Sequence, residues 1–184
     1  SGAVHFHLTA PAAYGHMMAV DDDVPETIVG GLHERYAAGC RFEVLGTGGE
    51  VRGISVRLGG GTQAGAVVHA LVLDGDLNVL SVSDSYTITQ TDIDLSFSGG
   101  LVYIPLDSAV ALDVDRDLIA LMRTDLDTLS ATLAASGIIQ AGTAWKFGSD
   151  GISSTFPLRA PIVRLNLSEP AVGLGNEAKA PGTV

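Results

Sequence analysis

The chain has 184 residues, 46% of them hydrophobic, and its 10 basic and 21 acidic side chains give a formal net charge of −11. The hydrophobic content excludes a disordered chain. The acidic balance disfavours nucleic acid and anionic membranes as partners, because phosphate neutralisation needs Lys and Arg. No apolar run reaches the length of about 18 residues that a transmembrane helix needs, so membrane insertion is not expected.

Apolar and polar residues alternate in two stretches near the N-terminus. They predict a first strand over residues 3–9 and another over 36–45, with a loop-like stretch over 11–27 between them. In the second strand the inward residues are Cys40, Phe42 and Val44.

Residues 41–86 contain four extended segments in a row, separated by glycine-rich or Asp-Gly turns. Ile54, Val56 and Leu58 share one parity and predict a half-buried strand. The run AVVHALVL at 66–73 is nearly continuous in apolar residues, which is typical of a central strand covered on both faces. Asp74-Gly75 predicts a two-residue type I′ hairpin, and the chain returns over 78–83.

The second half of the chain contains one ambiguous segment, 113–136. Its leucines are spaced as in a helix, whereas the family resemblance given below places strands near 118–123 and 128–134, and we favour the strands. Elsewhere the sequence predicts a short strand at 86–89 and a turn or single helical turn at 91–94. Further strands are expected at 101–106, 143–147 and 162–167.

These elements predict an all-β fold, an antiparallel two-sheet β-sandwich of jelly-roll-like form with room for one short helix. We expect one domain over 1–168 and a linker or tail over 169–184, where Pro and Gly occur without periodicity. The predicted inward residues are Phe42, Val44, Ile54, Val56, Val68, Leu71, Leu73, Ile104, Leu106, Ile162, Val163 and Leu165.

The sequence resembles a recurring module of secreted and surface Bacteroidetes proteins that carry a type IX secretion sorting tail. The resemblance rests on GEVRGISVRLGGGTQAG, VLDGDLNVL, SDSYTIT, YIPLD and the closing run APIVRLNL, which is similar to that family's final strand. It covers about residues 36–167 and implies a jelly-roll-like sandwich located outside the cell or on its surface. Its motifs are strand and turn positions, and no catalytic residue is carried over from them.

Asp74, Asp76 and Asn78 have the Asp-x-Asp-x-Asn spacing of a calcium loop, and oxygen ligands suit Ca²⁺. The Gly and Glu that complete an EF-hand loop are missing, since Val79 and Ser85 stand at those positions. A polar hairpin turn explains the same residues without an ion. The acidic run 21–23 is a second candidate contributor to a calcium site, against the simpler interpretation of a solvated loop.

Trp145, beside Lys146, is the best candidate for a ligand-binding platform, because sugar-binding sandwiches stack sugars on exposed aromatic rings. The alternative is a Trp that belongs to the core or its rim. No Gly-x-Ser-x-Gly elbow occurs in the sequence. Cys40 stands in an apolar alternation that is typical of a core residue.

The sequence therefore favours a non-catalytic module of a secreted or cell-surface protein, acting in adhesion, in ligand (carbohydrate) binding or as a structural spacer. Its expected partners are a glycan or a surface protein, and the residues do not specify an oligomeric state. The alternative is an accessory domain of a secreted hydrolase whose catalytic domain lies elsewhere in the parent protein. The extracellular location follows from the resemblance alone.

Overall fold

In this computed structural model, the described residues are 16–19, 21, 23–30, 36–44, 49–125, 129–137, 144–147, 153–155 and 159–168. Within these ranges the chain forms fourteen strands and one helix. Their bounds are β1 His16–Met18, β2 Thr27–Val29, β3 Tyr36–Val44, β4 Glu50–Val56, β5 Val67–Asp74, β6 Val79–Val82, β7 Tyr86–Thr87, α1 Gln90–Phe97, β8 Val102–Ala111, β9 Arg116–Thr124, β10 Leu133–Gly137, β11 Ala144–Phe147, β12 Ser153–Thr155, β13 Arg159–Pro161 and β14 Val163–Leu167.

The strands form an antiparallel sandwich. One layer is a four-stranded sheet in the order β1-β14-β4-β8, and the other is a seven-stranded sheet in the order β12-β11-β3-β9-β5-β6, with β7 also paired to β5. A three-stranded sheet, β13-β10-β2, continues the first layer through the bridge between Leu58 and Leu133. The predicted all-β sandwich with one short helix is confirmed.

The core lies between the two layers. Phe42 of β3, Ile54 of β4, Ile104 of β8 and Leu165 of β14 are almost completely buried there. Of the predicted inward residues, Leu106 is only partly buried. Leu71 and Leu73 are buried in a separate cluster, so their assignment to the inter-sheet core is wrong.

Several predicted strands appear with shifted bounds. The strand expected at 101–106 continues to Ala111, and the one expected near 128–134 begins at Leu133. A strand, β1, lies within the stretch that was expected to be a loop at 11–27. The strands expected within 113–136 are confirmed as β9 and β10, so the helical interpretation of the leucine spacing is wrong. The strand predicted at 3–9 and the tail at 169–184 lie outside the described residues.

The helix α1 is twice as long as the single turn expected at 91–94. A capping box begins it: the Thr89 hydroxyl accepts a hydrogen bond from the backbone N–H of Asp92, and the Asp92 carboxylate accepts one from the backbone N–H of Thr89. The chain leaves the helix through Gly99, which has a φ of +92° that an L side chain rarely adopts. The Thr-x-x-Asp spacing was the sequence signal for this helix start.

Candidate functional site

The turn between β5 and β6 contains the three residues predicted to bind calcium. Asp74 Oδ1 accepts hydrogen bonds from the backbone N–H groups of Asp76 at 2.9 Å and Asn78 at 2.8 Å. Asp74 Oδ2 accepts another from the Asn78 side-chain amide at 2.9 Å. The bonds from Asn78 are the main reason why the pKa of Asp74 lies below its ordinary value. Both oxygens of Asp74 therefore close the turn.

The predicted hairpin is confirmed, but its two-residue type I′ turn is wrong. The backbone N–H of Leu77 donates to the Asp74 carbonyl at 3.1 Å, and that of Asp74 donates to the Asn78 carbonyl at 2.9 Å. The left-handed residue is Leu77, with a φ of 69°, and not Gly75. This pattern is the longer hairpin loop in which a turn is followed by one left-handed residue.

Among the described residues, no group of three or more His, Cys, Asp or Glu side chains is arranged to hold a metal ion. A calcium ion at the turn would also draw on Asn78, and it would have to share the Asp74 oxygens with three N–H donors. Calcium at Asp74, Asp76 and Asn78 stays a prediction.

In the acidic run 21–23, the second candidate for calcium, Asp21 and Asp23 face two arginines, and Asp22 lies outside the described residues. Asp21 has a side chain with 0% exposure and receives two hydrogen bonds from Arg164, at 2.6 and 3.2 Å. Asp23 Oδ1 accepts one from Arg164 at 2.9 Å and one from Arg57 at 2.8 Å. The interpretation as a solvated loop is therefore wrong at Asp21. Two guanidinium groups already balance these carboxylates.

The two arginines stand on the outward face of the four-stranded sheet, and they are buried there. Arg57 follows β4, and Arg164 of β14 pairs with Ser55 of β4. The Ser55 hydroxyl donates to Asn166 Oδ1 at 2.9 Å, so a second polar contact joins the same two strands. The strand of Ile54, Val56 and Leu58 was expected to be half-buried, but this polar layer covers its other face as well.

Arg164 keeps its charge in this buried position. Burial by itself would lower its pKa, but the hydrogen bonds and charges of Asp21 and Asp23 outweigh that effect, and the pKa of Arg164 is raised above its ordinary value. The cluster is therefore a set of paired charges, most of them buried, that fastens Asp21 and Asp23 to the sheet.

Trp145 and Lys146, the predicted ligand-binding pair, point to opposite sides of β11. Trp145 pairs with Gly39 on the outward face of the seven-stranded sheet, whereas Lys146 pairs with Ala38, a core residue. Lys146 is exposed at its position. The two side chains therefore do not share one surface.

Trp145 is half-buried and stacks on Phe147, with ring centroids 6.3 Å apart and an interplanar angle of 23°. Both rings pack against a second apolar cluster on the outward face of the seven-stranded sheet. The buried members of that cluster are Ala37, Leu71, Leu73, Ile119 and Leu121. The only Trp of the chain thus lies at the rim of an apolar layer outside the main core.

Two further groups with reactive side chains have structural partners. The Cys40 thiol is completely buried and donates to the Pro161 carbonyl at 3.1 Å, and burial raises its pKa well above the ordinary value. It stays a neutral thiol, as its apolar surroundings predict. His69 Nε2 lies 3.1 Å from Asp125 Oδ2, and its Nδ1 lies 3.1 Å from the Ser83 carbonyl.

The residues that sequence reasoning missed are the two arginines and His69. One signal was present, because Arg164 and Asn166 interrupt an otherwise apolar strand, and a charge in such a strand is usually paired when buried. The partner of Arg164 could not be read in the same way, since Asp21 lies 143 residues earlier in the chain.

No helix in the part of the chain that the structure describes is long and apolar enough to cross a membrane. In comparisons with known proteins, no family model matches the chain, and no curated protein matches its sequence.

Proposed function

We propose that the chain is a non-catalytic β-sandwich module of a secreted or cell-surface protein, acting in adhesion, in ligand binding or as a structural spacer. The proposal rests on where the motifs that resemble secreted modules lie in the fold. VLDGDLNVL forms the β5–β6 hairpin, and APIVRLNL ends in β14, which lies between β1 and β4. The polar residues of that last run, Arg164 and Asn166, make buried contacts to Asp21 and Ser55.

These residues therefore build the sandwich. A set of motifs that specifies strands, turns and buried pairs is what a scaffold needs, and ligands of such scaffolds are bound by variable surface side chains. The extracellular location rests on the resemblance. It is tested by probing intact cells and culture fluid of the source organism with an antibody against the domain. Detection only inside the cells would contradict it.

For the ligand we propose a carbohydrate and place it at Trp145. Its support is the stacked Trp145–Phe147 pair, since flat rings offer a large rigid contact area to an apolar sugar face. A glycan array with the intact domain, followed by calorimetry on any hit, tests this assignment. We expect Trp145→Ala to abolish binding and Trp145→Phe to retain part of it, with circular dichroism confirming that both variants fold.

Absence of binding to every glycan would remove the carbohydrate and leave the spacer role. The parent sequence separates the remaining alternative, because a catalytic domain beside this one would favour an accessory domain of a secreted hydrolase.

Calcium at the Asp74–Asn78 turn is tested by thermal melting with and without a chelator. A bound ion adds free energy to the folded state by mass action. The melting temperature should then fall by several degrees when the chelator is present. An unchanged curve would mean that the hydrogen bonds of Asp74 hold the turn without an ion.

A further inference from the structure

Three apolar side chains remain exposed around one short segment of the chain, residues 57–59. Val24 is 57% exposed, Ile28 is 51% exposed and Phe97 is 67% exposed. Single exposed apolar residues are ordinary on a protein surface, but neighbouring ones indicate an interaction site. The contacts of residues 57–59 with Asp23, Ile28 and Ser96 bring together the segments that carry these three residues.

Arg57 holds the segment that carries Val24. Its guanidinium donates to Asp23 Oδ1 at 2.8 Å and to the Asp23 carbonyl at 3.0 Å. Gly59 lies beneath Ile28, because a Cβ added to Gly59 would come within 2.8 Å of the Ile28 side chain. Residues 57 and 59 of an extended segment point to the same face. Asp23, which precedes Val24, and Ile28 therefore lie over the same face.

Leu58 joins the third segment to this place. Its backbone N–H donates to the hydroxyl of Ser96 at 3.1 Å, and Phe97 is the next residue of α1. Arg57 also donates to the Gly99 carbonyl at 2.6 Å, just after the helix. The loop before β2 and the end of α1 are thus fastened to the same arginine, so the segments that carry the three apolar residues are held together before any partner binds.

The charges around this surface are negative. The helix α1 carries Asp92 and Asp94 and contains no basic side chain. Arg57 is buried and bonded to Asp23, and the Glu26 carboxylate is already paired with Arg159 at 3.1 Å. With a net charge of −11, a second copy of the chain or an anionic membrane would be repelled.

We propose that Val24, Ile28 and Phe97 form a docking surface for a protein segment that combines apolar side chains with Lys or Arg. The apolar side chains would cover the three exposed residues, and the basic ones would face Asp94, which lies one turn before Phe97 on α1. An extended segment suits the site, because β2 is the last strand of its sheet among the described strands. This surface is separate from Trp145, so the proposal does not depend on a carbohydrate ligand.

The test uses a fluorescein-labelled peptide of alternating Lys and Leu, and a matched peptide of alternating Glu and Leu, in anisotropy titrations with the intact domain. We expect the Lys peptide to bind at least about tenfold tighter than the Glu peptide, as opposite charge at an interface requires. Phe97→Ser and Ile28→Ser should each weaken binding of the Lys peptide by about fivefold or more. Asp94→Lys should weaken it as well.

The matched control is Val114→Ser. Val114 is 55% exposed and follows β8 at the end away from α1, so its loss should leave binding unchanged. Equal binding of the two peptides, or equal effects of Val114→Ser and Phe97→Ser, would overturn the proposal. So would a dimer in sedimentation experiments that Phe97→Ser dissociates, because the occupant would then be a second copy of the chain.

Discussion

At the scale of single residues, the main feature is the cluster of ion pairs that Asp21, Asp23, Arg57 and Arg164 form. Each guanidinium is stabilised only while its carboxylate partners are in place, because an unpaired buried charge is costly. The intact cluster adds little to the free energy of unfolding. Removing one of its members lowers that free energy by much more, because the remaining charge is left buried without a partner. The cluster also fixes where Asp21 and Asp23 lie on the sheet.

Arg164→Met should therefore be strongly destabilising. It leaves the Asp21 carboxylate, which has no exposure, without its two charged hydrogen bonds. We expect a loss of about 3–5 kcal/mol in the free energy of unfolding, measured by urea denaturation. In the double variant with Asp21→Asn the loss should be smaller than the sum of the two single losses. Additive losses would mean that the pair is not coupled.

Leu77, by contrast, has a backbone conformation that is unfavourable for its residue type. Its φ of 69° is left-handed, a conformation that costs a non-glycine residue roughly 1–2 kcal/mol. Leu77→Gly should raise the free energy of unfolding by about 0.5–1 kcal/mol, after the larger entropy of Gly in the unfolded chain is subtracted. Val79→Gly, in the adjacent strand, should lower it instead. A drop in stability for Leu77→Gly would show that the Leu side chain matters more than the backbone strain.

At the scale of elements, β3 and β9, two central strands of the seven-stranded sheet, approach each other closely at Gly39. A Cβ added to Gly39 would lie 1.8 Å from the Ala120 carbonyl oxygen, whereas one added to Gly60 would meet nothing within 4 Å. Gly39 is also the cross-strand partner of Trp145. The glycine in β3 is thus required by packing, and the one after β4 is not.

Gly39→Ala should accordingly destabilise the fold by about 2 kcal/mol or more, because the methyl group pushes two hydrogen-bonded strands apart. Gly60→Ala is the matched control. It should be neutral or raise stability by about 0.5 kcal/mol through the unfolded chain. Both changes are measured as shifts of the urea midpoint. Similar midpoints for the two variants would contradict the close approach.

The last strand is the element on which the first layer depends. β14 pairs with β1 on one side and β4 on the other, and its five residues are all buried. Removing residues 162–184 should therefore unfold the domain, whereas removing residues 171–184 should change its melting temperature little. Thermal melts of the two truncated chains make the comparison. A folded domain without β14 would refute the sandwich order given above.

At the scale of the whole molecule, one large apolar cluster packs between the two layers, and a smaller one lies on the outward face of the seven-stranded sheet. Leu121 and Ile119 of the outer cluster alternate along β9 with Leu118, Ala120 and Met122 of the core. The two clusters share a backbone, so they are expected to unfold together.

Two signals test whether the two clusters unfold together. The fluorescence of the single Trp reports on the outer cluster, because Trp145 packs on it, and far-UV circular dichroism reports on all the strands. We expect both signals to show one transition with the same midpoint in urea. An earlier transition in Trp145 fluorescence would mean that the outer cluster opens separately from the core.

The sequence alone determined the fold class and most strands, because those signals are local. Alternation around Ile54, the run that forms β5 and the Asp-Gly hairpin each depend on residues within one strand or turn. Local patterns were ambiguous in the segment that forms β9. From Leu118 to Met122 of β9 the inner and outer residues are all apolar, so the period of two disappears there and the leucines resemble a helix.

Only the tertiary structure decided what lies on each face and which charges pair. Asp21 finds Arg164 across 143 residues, and His69 finds Asp125 across 56. Trp145 and Lys146 are adjacent in sequence, but the pleat of β11 sends them to opposite sides. The residue types determine which side chains are favourable to bury and which need a polar partner when they are buried. The order in which distant strands pair decides which of them meet, since that choice depends on packing the whole chain at once.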